Sequence, residues 1–311
     1  MQVVGGSNPL APTIDKYTNE NWIMIVLFRI SFFFFGALFF CFSHAAIVEE
    51  QIHLPVVVKN IYGAEFRHTI LVTVFRDESR SNSPWLILNH GRPTASEIPM
   101  MGRQRYSSNS KYFVEKGFVV FVPTRVGYGP TGGPDVEYSG ECGRNNFPVV
   151  YQAAADQVST LIDKIKTFSY VNPKKGLIVG QSYGGMTSIA LSTFDIDGLL
   201  GVVNFSGGGG GNPVTRPENP CGENLLRRAY FDYGQNTKNS SLWLYSTNDK
   251  FWGEAYPKLW FDEFKQGADK NKIFTKFVAL PPFKENGHSI FVGNRKAWQL
   301  EFEQFLEQIG F

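Results

Sequence analysis

The sequence has few cysteines, little net charge and no apolar run of membrane-spanning length. Only three cysteines occur in 311 residues, and no cysteine and histidine cluster has the spacing of a zinc site. A net charge of +2 gives no electrostatic basis for binding nucleic acid or an acidic partner. No Gly-x-x-x-x-Gly-Lys phosphate loop is present, and the glycine run at 207–211 lacks the spaced glycines and downstream acid of a dinucleotide site. The sequence therefore predicts no metal, no cofactor and no nucleic acid partner.

The longest apolar run lies near the N-terminus and indicates a targeting segment. Residues 30–42 are thirteen residues without a charge, preceded by Arg29 and followed by the small residues Ala45 and Ala46. A basic, then apolar, then small-residue order is typical of a secretory signal peptide, whereas a membrane-spanning helix needs about twenty apolar residues. We predict that 1–45 comprises an N-terminal extension and a signal peptide cleaved after Ala45. The alternative is an uncleaved segment that anchors the protein in the inner membrane.

Export would leave two cysteines in an oxidising compartment. Once Cys41 is removed with the signal peptide, Cys142 and Cys221 remain. Disulfides persist in secreted and periplasmic proteins, and both cysteines follow predicted strands. We therefore predict a disulfide between them, and a periplasmic or secreted protein with no stable membrane association after cleavage.

A short apolar run that ends in a serine between glycines is the strongest catalytic signal. The run at 176–179 leads into Gly-Gln-Ser-Tyr-Gly at 180–184, and a small-residue segment that can form a helix follows. A strand, a tight turn and a helix in this order expose the serine hydroxyl at the end of the strand. Because a hydroxyl is a weak nucleophile at neutral pH, Ser182 also needs a base, an acid to orient the base, and donors for an oxyanion.

Asp249 and His288 are the predicted acid and base. Asp249 follows a strand-like run at 242–246, and His288 follows another at 274–280. His288 is also the only histidine after Ser182. Each residue alone has an ordinary explanation, because aspartate is common in turns and a loop histidine can simply bond to backbone. The hypothesis rests on their order, with each residue at a predicted strand end.

The oxyanion donors are expected at Tyr183 and in the loop after the third predicted strand. In a site of this kind, one N–H comes from the residue after the nucleophile and the other from that loop. The loop reads His-Gly-Arg-Pro. We expect the N–H of Arg92 to donate, with Gly91 as the alternative, because Pro93 has no N–H. His90 is expected to shape the loop rather than to catalyse.

Together these motifs resemble the dienelactone-hydrolase-like group of α/β-hydrolases, whose chain order of Ser, Asp and His they share. The resemblance rests on Gly-Gln-Ser-Tyr-Gly-Gly, the Thr-Asn-Asp turn and Gly-His-Ser, and it covers the chain from about residue 80 onward. Bacterial secreted members have similar runs, which correspond to residues 217–222 and 280–283 of this chain.

The resemblance implies an eight-stranded sheet and ester-type hydrolysis. The namesake enzyme uses a cysteine nucleophile, so its lactone specificity does not carry over to Ser182. The double glycine after the serine is also similar to prolyl-oligopeptidase-like catalytic domains.

Strands that alternate with helices predict a mostly parallel sheet with catalytic residues at its C-terminal edge. Two antiparallel strands, at 49–59 and 67–76, come first. The main helices are predicted at 107–115, 149–168, 223–233 and 295–309. We predict the α/β-hydrolase fold as a single catalytic domain over 46–311, in which 207–240 is a candidate small cap.

The predicted activity is hydrolysis of carboxylic esters, small or soluble ones, through an acyl-enzyme on Ser182. The expected partner is therefore a small-molecule ester. The alternatives are a peptidase or amidase acting on small peptides, and a catalytically silent binding protein with a hydrolase fold. Activity is expected to fall on acidification, because the imidazole must be neutral to act as a base.

Overall fold

The centre of the structure is one eight-stranded sheet. The computed structural model describes residues 46–311, so the predicted extension and signal peptide lie outside the described residues. The strands are β1 (Ile47–Lys59), β2 (Glu65–Asp77), β3 (Ser83–Asn89), β4 (Val119–Thr124), β5 (Val171–Gln181), β6 (Leu199–Phe205), β7 (Ser240–Ser246) and β8 (Thr275–Leu280). They lie in the order β1-β2-β4-β3-β5-β6-β7-β8. The pairs β1–β2 and β2–β4 are antiparallel, and every later pair is parallel. The predicted mostly parallel, eight-stranded sheet is confirmed.

Helices cover both faces of this sheet. They are α1 (Ser107–Glu115), α2 (Phe147–Ile165), α3 (Tyr183–Leu191), α4 (Glu223–Asn236), α5 (Ala255–Lys270), α6 (Ile290–Gly293) and α7 (Gln299–Gln308). Helices α2 to α5 contribute to the apolar cluster on one face, and α1, α6 and α7 contribute to the cluster on the other. In β3, Trp85 and Ile87 join the first cluster, whereas Leu86 and Leu88 join the second. Alternate side chains of one strand thus enter two cores, as expected for a strand buried on both faces.

The C-terminal helix is shorter than predicted. The structure has a 3₁₀ turn at Arg295–Ala297 and then α7, in place of one helix over 295–309. Trp298, between the two, has a φ of −124° and is fully buried. Its indole N–H donates to the carbonyl of Phe291 at 3.1 Å. Burial of this ring therefore sets the chain at an angle that a continuous helix would not allow.

The segment predicted as a candidate cap divides into two parts. Residues 207–222 form an irregular loop, whereas α4 packs beside α5 and α2 in the helical layer. Leu226 and Tyr230 of α4 are fully buried. In the described range 46–311, no helix has both the length and the apolar character needed to cross a membrane.

Candidate active site

Ser182 stands in the turn between β5 and α3 with a strained backbone. Its φ and ψ are 57° and −125°, a combination that costs a residue with a side chain about 1–3 kcal/mol. Its N–H donates to the carbonyl of Phe205 in β6 at 2.8 Å, and its carbonyl accepts from the N–H of Gly185 at 2.8 Å. A Cβ on Gly180 would lie 2.0 Å from the carbonyl oxygen of Gly184. Only glycine therefore allows the strand and helix to approach closely enough to form this turn.

The structure brings Asp249 and His288 together. Nδ1 of His288 donates to Oδ2 of Asp249 at 2.8 Å, and Asp249 is fully buried. Its other oxygen, Oδ1, accepts from the N–H of Phe251 at 2.8 Å. The Phe251 ring stacks on the imidazole with centroids 4.0 Å apart, and the side chain of Asn286 accepts from the His288 N–H. The imidazole is thus held in one orientation. Its proton lies on Nδ1, so Nε2 carries the lone pair.

The turn that carries Ser182 and the loop that carries His288 are also in contact. The side-chain amide of Gln181 donates to the carbonyl of His288 at 3.2 Å. Between these described residues, however, no hydrogen bond joins Ser182 Oγ to the imidazole. Hydrogen bonds between catalytic groups are often long or misaligned until a substrate binds.

The backbone around Ser182 has N–H groups that lack an acceptor among the described residues. Tyr183 is the first residue of α3, where an N–H has no intrahelical acceptor. The N–H of Arg92 donates to no other group within residues 46–311. The N–H of Gly91 likewise donates to no other group in this range, and the nearby hydroxyl of Tyr106 donates to the side-chain oxygen of Gln181 at 3.1 Å. Both predicted loop donors, Arg92 and Gly91, therefore have an N–H without an acceptor among the described residues, and Arg92 is the one of the two that lines the cavity beside Ser182.

A buried ion pair supports the loop after β3, which begins at His90, from behind. Arg125 and Glu137 are both fully buried, and the guanidinium donates to the carboxylate at 2.6 and 3.0 Å. Another guanidinium nitrogen donates to the carbonyl of His90 at 3.0 Å. The hydroxyl of Tyr128 donates to the same carboxylate at 2.5 Å, and burial together with the Glu137 charge raises the pKa of Tyr128. The sequence does not predict that Glu137 is buried, because a glutamate in a loop rich in glycine and proline is usually exposed to solvent.

A cavity of about 830 Å³ opens beside Ser182. Ser182, Tyr183 and Arg92 all line it, and Phe251 and Trp252 form part of its wall. The rest of the lining comes from residues within 93–97, 138–147 and 208–221. The irregular loop after β6 is therefore part of the cavity wall.

A disulfide joins two parts of that wall. Cys142 and Cys221 are bonded, with their Cα atoms 5.5 Å apart. The bond ties the loop after β4 to the segment after β6, and both cysteines line the cavity. The predicted pairing is confirmed. Across the described residues, no three side chains of His, Cys, Asp or Glu converge as metal ligands would.

Solved structures resemble this one over most of the chain, whereas no protein-family model and no curated protein sequence matches it. A protein described as a dienelactone hydrolase from Klebsiella pneumoniae has a TM-score of 0.52 at 12% identity, covering 83% of this chain and 98% of its own. A cold-adapted esterase from an Arctic intertidal metagenomic library has a TM-score of 0.53 at 16% identity, covering 85% and 94%. The acylaminoacyl peptidase of Pyrococcus horikoshii has a TM-score of 0.57 at 14% identity, covering 84% of this chain but 42% of its own.

The chain has the α/β-hydrolase fold. In this α/β-hydrolase sheet, Ser182 follows β5, Asp249 follows β7 and His288 follows β8. Since the carboxyl ends of parallel strands lie at one edge of a sheet, residues far apart in the sequence meet there.

Proposed function

We propose that this chain is a serine hydrolase that cleaves carboxylic esters, small or soluble ones, through a covalent acyl-enzyme on Ser182. The observation that carries the proposal is a strained serine at the carboxyl edge of the sheet, beside a buried Asp249–His288 pair and under an open cavity. The esterase among the similar structures supports the same class of reaction.

In the proposed mechanism, Ser182 Oγ attacks the ester carbonyl while Nε2 of His288 removes the hydroxyl proton. Asp249 holds the imidazole tautomer and stabilises the imidazolium that forms. The N–H groups of Tyr183 and Arg92 bind the oxyanion of the tetrahedral intermediate. The intermediate then collapses: the bond between the carbonyl carbon and the alkoxy oxygen breaks, the imidazolium protonates that oxygen, and the alcohol leaves the acyl-enzyme. Water, activated by the same histidine, hydrolyses the acyl-enzyme and restores Ser182.

Hydrolysis of amides is the second candidate. The likeness to an acylaminoacyl peptidase favours it, because the same nucleophile, base and oxyanion donors can cleave an amide when the histidine protonates the leaving amine. The substrate would then be a small peptide or an aminoacyl amide.

We also propose a periplasmic or secreted location. The predicted signal peptide and the Cys142–Cys221 disulfide support it, because disulfides persist in oxidising compartments. The partner in this proposal is a soluble small-molecule ester, with neither nucleic acid nor stable membrane association.

The test compares the full chain with its Ser182→Ala variant on short p-nitrophenyl esters and on aminoacyl p-nitroanilides. We expect ester turnover to fall at least about a thousandfold in the variant. Ser81→Ala, which changes an exposed serine, is the matched control and should leave turnover unchanged. Turnover of anilides alone would favour the peptidase. If Ser182→Ala kept full activity, the proposed nucleophile would be wrong. If neither substrate reacted and a fluorophosphonate failed to label Ser182, the result would favour a catalytically silent binding protein.

A further inference from the structure

We propose that His90 is a positioning residue for the oxyanion site: its ring holds the carbonyl of Gly91 and thereby directs the N–H of Arg92 toward the space beside Ser182. The inference rests on the proposed function, because it assigns a part of the same site. It gives His90 a role apart from that of His288, whose ring is bonded to Asp249.

Two hydrogen bonds assign the proton on the His90 ring. The backbone N–H of Arg125 donates to Nε2 at 3.2 Å, so Nε2 must carry a lone pair. Nδ1 lies 2.7 Å from the carbonyl oxygen of Gly91, which can only accept, so Nδ1 must carry a proton. Both bonds require the same neutral tautomer, and each fixes one side of the ring.

The surroundings keep the His90 ring neutral. His90 is fully buried. Burial, and after it the charge of Arg125, hold the pKa of His90 well below its usual range. The ring therefore keeps its lone pair on Nε2 and its donor on Nδ1 over the pH range in which the enzyme would work.

Peptide geometry transmits the position of the Gly91 carbonyl to the Arg92 N–H. The peptide unit is planar and normally trans, so its C=O and N–H point in opposite directions. A bond that holds the carbonyl therefore fixes the direction of the N–H. Without it, the glycine before this peptide would leave the backbone free to rotate.

The same peptide passes directly beside the nucleophile. A Cβ on Gly91 would lie 3.0 Å from Cβ and 3.6 Å from Oγ of Ser182. On the far side of the peptide, the guanidinium of Arg92 donates to both oxygens of Asp135 at 2.8 and 2.5 Å. His90 and Asp135 thus hold the peptide from two sides, and the ring of His90 alone acts on its carbonyl.

The test replaces His90 with three side chains that distinguish the role of Nδ1 from that of Nε2. An asparagine amide nitrogen takes the place of Nδ1, so His90→Asn can still donate to Gly91. In His90→Gln the amide reaches the place of Nε2 instead, and His90→Leu keeps the bulk without a donor. The measurements are kcat and KM on the ester that the wild type cleaves best, and the inhibition constant of phenylboronic acid, which forms a tetrahedral adduct with an active serine.

We expect kcat to fall about 10- to 100-fold in the Leu and Gln variants with KM nearly unchanged, since removal of a whole oxyanion donor costs about 10²–10³. Their affinity for the boronic acid should fall by a similar factor. His90→Asn should stay within about threefold of the wild type. His53→Asn, at an exposed position in β1, is the control and should change nothing.

A purely structural role would instead lower the melting temperature of all three variants and leave kcat of the folded protein unchanged. That result, or an equal loss in the Asn and Gln variants, would overturn the proposal while leaving Ser182 as the nucleophile. If the Leu variant does not fold, the contrast between Asn and Gln decides. A wild type that neither hydrolyses esters nor reacts with a fluorophosphonate would overturn the proposed function together with this assignment.

Discussion

At the scale of single residues, some groups of the candidate site could be predicted from the local sequence, whereas others could not. The placement of Ser182, Asp249 and His288 at strand ends could be predicted because each follows a strand-like run, and the turn itself requires glycine at 180 and 184. Glu137 could not be predicted in the same way. Its burial depends on Arg125 and Tyr128 meeting it inside the fold, and a buried carboxylate leaves no local pattern.

The role of Asp249 can be tested by removing its charge while keeping its shape. Asp249→Asn is expected to lower kcat about 10³- to 10⁴-fold, because an amide can donate to Nδ1 of His288 and so favour the tautomer that has no lone pair on Nε2. Ester hydrolysis and circular dichroism of the folded variant provide the measurement. Asp262→Asn, which changes an exposed partner of Lys258, is the control. A loss below about tenfold would indicate that Asp249 does not set the tautomer.

At the scale of secondary-structure elements, most strands could be predicted, whereas α5, the four-residue α6 and the strand order could not. Helix α5 lies in a stretch whose sequence does not predict a helix. Pro257 near its start and Gly267 near its end weaken the helical pattern, although Trp260 and Phe264 are fully buried. Packing against α4 and the sheet stabilises it, and such tertiary contacts routinely outweigh local propensity.

The disulfide joins two loops that carry little regular structure, so its loss should affect stability and the cavity wall more than the chemistry. Cys142 and Cys221 are 79 residues apart, and closing a loop of that length stabilises a folded chain by about 4.5 kcal/mol in the chain-entropy description. We expect a Cys142→Ser, Cys221→Ser double variant to lose about this much free energy of unfolding in urea.

The same double variant should raise KM for a bulky ester that fills the cavity more than it changes kcat for an acetyl ester, because Ser182, Asp249 and His288 follow other strands. The control is the double variant under reducing conditions, where dithiothreitol should have no further effect. An unchanged unfolding free energy would show that the loops are held without the bond.

At the scale of the whole molecule, the two cores on either side of the sheet fix the edge where the site forms. Alternate residues of β3 pack into opposite layers, so the loop that begins at His90 starts from a strand held on both faces. The strand order, in which β4 lies between β2 and β3, brings the buried Arg125 beside this loop. The pairing of β4 with β2 and with β3 does not follow from the local sequence of these strands, because pairing in a sheet depends on contacts between distant segments.

Burial of a neutral histidine under this edge should also make the stability of the whole protein depend on pH. The pKa of His90 is lowered on folding from its ordinary value of 6.5, so below about pH 6.5 the unfolded chain binds a proton that the folded chain does not. The free energy of unfolding therefore falls with decreasing pH, and this one group contributes a loss of up to about 2 kcal/mol between pH 7.5 and pH 5.

His90→Asn removes the titrating group, so urea unfolding at the two pH values should show a smaller acid-induced loss than in the wild type. The exposed His53→Asn variant should keep the full wild-type loss, because it leaves the buried His90 in place. An equal acid-induced loss in the wild type and in His90→Asn would mean that the folded protein takes up a proton at His90. In that case the ring could not accept from Arg125, and the hydrogen bonds around the loop that begins at His90 would differ from those described.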